Sequence, residues 1–349
     1  MKKQAYLFLF VMAILVSCEN LELNNFPQNS NQVEFCGFRV NLPANHNEQI
    51  LSLSLSDLQK EYYSHNSKGI MRMKSSRELG FTLEQISEIS DKILTQYPNI
   101  DSLNTEEIAK IKINFSDLST DDIIENINVI DSFYTSFIRY DLVQTLSKIE
   151  HNESNKIKTS KVSSNHYYYD YPYHLSSSEF WYLIKHPRNI KPIKKAKEKA
   201  EELTNENYKG MSKSRTIADA FRHTVWNILI CKYVGKYKSK IKDCVKVAKD
   251  FTTKHETDAS KPQNLSDKDW KLDKEMDLHN NEQGRKYFRE KAWKKTHRLW
   301  FGRKRTKVKA PSENQIVIEI KEKINSSAKK IINVNDSYKY PNNIVYIKD

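Results

Sequence analysis

The 349-residue chain carries 57 Lys and Arg against 44 Asp and Glu, a formal net charge of +13, with a mean hydropathy of −0.73. Beyond residue 17 no stretch is apolar enough to span a bilayer. Its 7 Gly and 9 Pro argue against collagen-like or β-rich designs.

At the start, Met1-Lys2-Lys3 is a short basic n-region, and Ala5 to Val16 is an apolar run of signal-peptide length. The run ends Leu15-Val16-Ser17-Cys18, which looks like a bacterial lipobox. That resemblance implies cleavage before Cys18, a thioether-linked diacylglycerol on its sulfur, and an acyl chain such as palmitate on its amine. Two or three chains, each contributing about 0.8 kcal/mol per buried methylene, hold a protein stably. Residues 1–17 are therefore expected to be a lipoprotein signal peptide and Cys18 a membrane anchor in the bacterial cell envelope. Residues 18–48 are Asn-rich without a period and read as a flexible tether.

Residues 49–150 predict a small helical bundle. Ile50 to about Tyr63 has helical apolar spacing. Thr82-Leu83-Glu84-Gln85 fits a capping box, followed by Ile86, Ile89, Ile93 and Tyr97 on one face, with Pro98 as a stop. Asn104 to Glu107 opens the next helix, and Ser119 to about Ile149 reads as a long helix with a break. Residues 151–174, rich in Ser, Asn and Lys and including Tyr167-Tyr168-Tyr169-Asp170-Tyr171-Pro172-Tyr173, read as a flexible linker to a second bundle.

Residues 175–349 predict a basic helical domain. Between Trp181 and Ala310 there are 35 Lys and Arg against 16 Asp and Glu, which suggests attraction to anionic lipid or polymer; a solvated Lys-rich surface is the plain alternative. No specific nucleic-acid reader is predicted. Ser176 to Glu179 is a second capping box, and its helix ends at His186-Pro187. Ile193 to Leu203 is helical and basic at its start. Three helices follow, at about 216–233, 240–256 and 274–293, the last two separated by a polar loop at 257–269. Trp293, Trp300 and Phe301 with Arg303-Lys304-Arg305 form an aromatic and basic run. Ile316 to Ile324 is helical, and Ile344 to Ile347 reads as one short strand. The fold class is all-α, two small bundles and a linker, with that strand at the end. No Cys-x-x-Cys pair exists; Cys231 and Cys244 flank a turn, where a disulfide and a buried thiol fit equally well.

The three helices carry three polar clusters. In the first, Asp219, His223 and Asn227 stand four apart, so at about 3.6 residues per turn they form one column, with Arg222 and Trp226 beside it. The second is Thr252, His255 and Glu256; the third is Asp277, Asn280, Asn281, Gly284 and Arg285. The column lies beside an apolar face, and buried polar groups need partners, so the clusters are expected to meet. His223, His255, Glu256 and Asp277 are the residue types that bind a divalent transition metal, zinc foremost, and are the candidate ligands and catalytic residues. Asp219 could orient a histidine or bind the ion itself. Such an ion would make a bound water nucleophilic near neutral pH, with Glu256 as general base. The spacing is not His-Glu-x-x-His, which speaks against a zinc peptidase.

The order Asp-Ala-Phe-Arg-His-x-x-Trp-Asn, then His-Glu, then Met-Asp-x-x-Asn-Asn-x-x-Gly-Arg resembles an uncharacterised bacterial domain family of secreted and lipid-anchored proteins, and domains at the C-terminal ends of some toxin-like polypeptides. The likeness covers roughly Leu175 to Arg289 and places a site without assigning it a reaction. Two functions remain: a lipid-anchored, metal-assisted hydrolase of an anionic or ester substrate, and a non-enzymatic lipoprotein whose basic domain binds a partner or anionic polymer.

Overall fold

The computed structural model of the chain describes residues 32–65, 78–157, 174–298, 302 and 304–348. The signal peptide and Cys18, the Tyr167 to Tyr173 cluster, Trp300, Phe301 and Arg303 lie outside the described residues. Among those described, helices dominate and strands pair only two by two, so the fold is mainly all-α, as the sequence predicts.

One compact unit combines residues up to Ser54 with Tyr97–Phe137. Its first element corrects part of the tether reading. Strands β1 (Gln32–Phe35) and β2 (Phe38–Asn41) form an antiparallel hairpin, turned through Cys36 and Gly37 at positive φ. Phe35 explains why this segment is ordered: its ring meets Phe133 edge-on at 5.4 Å, and Phe133 also meets Phe115 and Phe137 at 5.0 Å each. After the short α1 (Gln49–Ser52), α4 (Thr105–Asn114) starts on the Asn104 cap and α5 (Thr120–Glu125) on a Ser119 capping box. The predicted break in the long helix falls at Asn126, whose amide turns back to the Asp122 carbonyl. From there α6 (Ile127–Ile157) continues through the first seven residues assigned to the linker.

The other compact unit combines Leu55–Gln96 with Ile138–Asp349. It contains α2 (Leu55–His65), β3 (Glu78–Thr82), α3 (Leu83–Leu94), β4 (His174–Ser176), α7 (Ser177–Lys185), α8 (Ile190–Asn207), α9 (Ile217–Val234), α10 (Ile241–Asp258), α11 (Asp267–Lys291) and α12 (Glu313–Ser327). Capping boxes at Thr82 and Ser176 start α3 and α7 where the sequence places them. Helix α9 is its axis. Apolar residues surround most of its circumference, and such a helix is stable only inside a core. It is covered by α8, α10, α11 and α12. Cys231 and Cys244 are not bonded to each other; the Cys231 thiol donates to the Cys244 carbonyl at 3.6 Å.

Two further pairs of strands complete this unit. The described parts of the aromatic and basic run are two strands, β5 (Trp293–Arg298) paired antiparallel with β6 (Lys304–Lys309). The predicted terminal strand, β8 (Val345–Tyr346), is real and lies parallel to β7 (Lys329–Lys330). It is held by the side-chain amide of Asn280, which accepts from the Val345 N–H at 3.0 Å and donates to its carbonyl at 2.8 Å. Just beyond it, the N–H groups of Ile347 and Lys348 both donate to the Arg215 carbonyl.

Helices α9 and α11 meet at Gly284. A Cβ built there would stand 2.2 Å from the Thr224 carbonyl oxygen and 3.0 Å from the Asn227 Cβ. The first contact is with backbone, which cannot rotate away. Gly284→Ala is therefore expected to force the helices apart and cost about 1–3 kcal/mol of stability, the range for overpacked cores. Denaturant unfolding checks this; an unchanged midpoint would refute the close approach.

Candidate metal centre

The close approach of α9 and α11 brings the first and third clusters face to face, and α10 adds the second. His223, 2% exposed, is the meeting point. Its Nε2 lies 3.4 Å from Asp219 Oδ1 and 3.3 Å from Asp277 Oδ1, while Nδ1 lies 3.3 Å from Glu256 Oε1. These distances exceed those of good N–H···O bonds, about 2.7–3.2 Å, and neither the Nδ1 atom nor Asp277 Oδ1 has an aligned hydrogen-bond partner. Ligand atoms held about 2.0–2.1 Å from a tetrahedral ion stand about 3.4 Å apart. Asp219, His223 and Asp277 offer three ligand atoms within 4.8 Å of one another, a group that could hold a metal ion.

A cationic side chain already faces this group. Arg222 Nη2 donates to Asp219 Oδ1 at 2.6 Å and lies 3.0 Å from His223 Nε2. Its side chain is 26% exposed, while its Nε is buried. The other Asp219 oxygen is fixed from behind by the Arg215 backbone N–H at 2.7 Å. Arg215 holds that N–H in place with a left-handed backbone, φ +70°.

Burial and charge oppose one another at every group. Burial raises the Asp219 carboxyl, but the Arg222 guanidinium and His223 overcome it and hold it well below the usual carboxylate range. Glu256 is likewise raised by burial and pulled down by His223, to about 2. Burial disfavours the charged form of His223, yet Asp277, Glu256 and Asp219 together lift it well above 6.5, so the ring carries a proton at neutral pH. Asp277 is the carboxylate that gives way: burial, then the charges of Glu256 and Asp219, push it well above its ordinary value despite His223. A bound cation would replace the proton on Nε2.

Behind the ring runs a chain of amides. Asn281 Nδ2 donates to Glu256 Oε1 at 3.0 Å, and Asn227 Nδ2 donates to Asn281 Oδ1 at 2.6 Å. Asn227 Oδ1 in turn accepts from Thr252 Oγ1 at 3.1 Å and from Arg285 Nη1 at 2.8 Å. Each amide is thereby fixed in one orientation. Glu256 orients the imidazole from its far side, the usual place for a carboxylate that steers a metal-binding histidine.

The expected site residues divide accordingly. Asp219, Arg222, His223, Asn227, Glu256, Asp277, Asn281 and Arg285 meet in one network, with Gly284 allowing the approach. His255 does not face the shared point: its Nδ1 is 2.9 Å from Glu179 Oε1, and its ring packs against Trp226 at 5.1 Å. The reason is geometric, since neighbours on a helix point about 100° apart, and Glu256 takes the inward position. Asn280 serves β8 instead. Arg285 pairs with Glu282 at 2.9 Å rather than with Asp277 or Glu256.

Three contributors escaped the sequence reading. Glu179 was visible only as the last residue of a capping box; its other oxygen is the one that meets His255. Asp273 lies one turn before Asp277, and burial together with the Asp219 charge pushes its carboxyl up to about 6. The i, i+4 spacing would have flagged it. Arg215 acts through its backbone, which leaves no pattern to read.

Residues 180–328 match the profile of a domain of unknown function, DUF6973, and all three clusters fall inside that span. No curated protein and no solved structure matches the chain.

Glu256 supplies a pH test. Its folded value lies below its ordinary 4.5, so its stabilising contribution is present above pH 4.5 and is lost as pH falls toward 2. The wild type is expected to lose stability in that window and Glu256→Gln to lose less of it, as measured by chemical denaturation at stepped pH. Identical slopes would mean that Glu256 ionisation does not support the fold.

Proposed function

We propose that the protein is a membrane-anchored bacterial envelope lipoprotein whose basic helical domain is a metal-assisted hydrolase of an anionic or ester substrate. The observation that carries the reading is the buried Asp219–His223–Asp277 group with ligand-like spacing and no close hydrogen bonds between its members. One imidazole and two carboxylates suit zinc, manganese or iron, and zinc is the first choice for a four-coordinate site with three protein ligands. A divalent ion there would lower the pKa of a bound water and supply a nucleophile near neutral pH. Glu256, placed on His223 Nδ1, orients the ligand in this reading and is not the general base. The excess of positive charge between Trp181 and Ala310 favours an anionic substrate. The lipobox-like Leu15-Val16-Ser17-Cys18 supports the anchor.

Arg222 favours a second reading. Its guanidinium already brings a positive charge to Asp219, and buried networks of this kind can serve only to fix helix register. The protein would then be a non-enzymatic lipoprotein that binds a partner or an anionic polymer.

Metal content separates the two. The hydrolase reading expects one divalent ion per chain, lost in His223→Ala and Asp277→Asn and retained in His255→Ala. Affinity should fall about 10–100-fold in Asn281→Ala, which frees Glu256, and rise in Arg222→Ala, which removes a competing cation. A wild type without metal, whose variants are merely less stable, would establish the second reading.

A further inference from the structure

With Glu256 placed behind the imidazole, the water-activating centre still needs a base, and the surrounding carboxylates decide which group can serve. Asp219 is held on both oxygens, by Arg222 Nη2 at 2.6 Å and by the Arg215 backbone N–H at 2.7 Å. Glu256 receives Asn281 Nδ2 at 3.0 Å and lies against Nδ1 of His223, the side of the ring opposite the ligand atom Nε2. Asp277 supplies a ligand atom itself, and His255 is turned toward Glu179. Asp273 remains.

Asp273 stands one helical turn before Asp277 on α11, so both carboxylates rise from one face. It belongs to the same electrostatic cluster: Asp277 feels its charge, and it feels those of Asp219, His223 and Glu256 in turn. Its Oδ1 is buried and meets no hydrogen-bond donor among the described residues. Arg215 Nε lies 3.7 Å from that oxygen, beyond the about 2.7–3.2 Å of a good N–H···O bond, and is likewise without an aligned partner. The Nη2 of the same guanidinium is tied to Asp269 Oδ1 at 3.0 Å. Arg215 therefore balances the charge of Asp273 without occupying its oxygen. A buried acceptor left open in this way is costly, and that cost is removed when a donor arrives.

The spacing fits such a donor. Side chains one turn apart on a helix stand about 5–6 Å between Cβ atoms. A water held about 2.1 Å from a divalent ion and about 2.7–2.8 Å from a carboxylate oxygen spans about 5 Å. Asp273 and Asp277 are also the more open carboxylates, with side chains 15% and 13% exposed against 5% and 6% for Asp219 and Glu256, so a substrate reaches the centre on their side. We propose, on the metal-assisted reading of the centre, that Asp273 is the general base that deprotonates the attacking water. Its carboxylate takes one proton as the water oxygen bonds to the carbon or phosphorus of the ester. The bond to the leaving oxygen breaks, and the proton passes from Asp273 to that oxygen.

The test loads the full chain with cobalt(II), whose visible absorption changes as a coordinated water loses its proton. A carboxylate beside that water opposes the negative charge being formed. Asp273→Asn is therefore expected to keep one cobalt per chain and to lower the midpoint of the spectral change by about one pH unit. With 4-nitrophenyl acetate and bis(4-nitrophenyl) phosphate as probes, Asp273→Ala should lower kcat by about a hundredfold or more with KM little changed. Added formate should restore part of that loss, which a purely structural role would not allow. Circular dichroism melting confirms that both variants fold. Loss of cobalt from Asp273→Asn would make Asp273 a ligand and overturn the proposal, as would an unmoved midpoint, an undiminished kcat or a loss that formate leaves unrepaired. A wild type that binds no cobalt would fail one step earlier, at the metal reading itself, and the proposal would fall with it.

Discussion

One imidazole enclosed by carboxylates is the constraint on which the domain is built. Burying His223 beside Asp219, Glu256 and Asp277 would be prohibitive if each charge stood alone, because isolated ions lose several kcal/mol on leaving water. The arrangement lowers that cost by division. The surrounding carboxylates favour the protonated ring of His223, burial and like charge raise the Asp277 carboxyl, and Arg222 and the Arg215 N–H bind Asp219. What remains is a compact set of ligand atoms whose protonation is delicately shared, and a divalent cation would resolve that sharing in a single step.

The scaffold holds this set with short-range contacts. Gly284 lets α11 lie on the Thr224 carbonyl, and only at that distance can Asn281 reach both Asn227 and Glu256. Asn227 is the hub, since its amide oxygen collects Thr252 and Arg285 from two other helices. Rotating any amide in the chain would leave a buried donor or acceptor without a partner, so the network has one low-energy arrangement.

Much of this was legible in the sequence, and the reasons for success and failure are physical. Capping boxes at Thr82 and Ser176 act within four residues and are realised as read. The Asp219–His223–Asn227 column follows from helical periodicity, and its union with Glu256, Asp277 and Asn281 follows from the need of buried polar groups for partners. His255 departs from the expected site because Glu256 fills the inward position, and a helix points adjacent residues about 100° apart. The β1–β2 and β5–β6 strand pairs were hidden for opposite reasons. The first is ordered by a distant aromatic contact, Phe35 on Phe133, and the second carries a charge pattern that looks like solvated surface until its register is known.

The contacts of Ile347 and Lys348 with the Arg215 carbonyl tie the acidic cluster to a segment far along the chain. Arg215 presents its N–H to Asp219, so whatever holds Arg215 from the other side also sets where that carboxylate stands. A change in the β8 segment is thereby transmitted to the buried imidazole through one peptide unit.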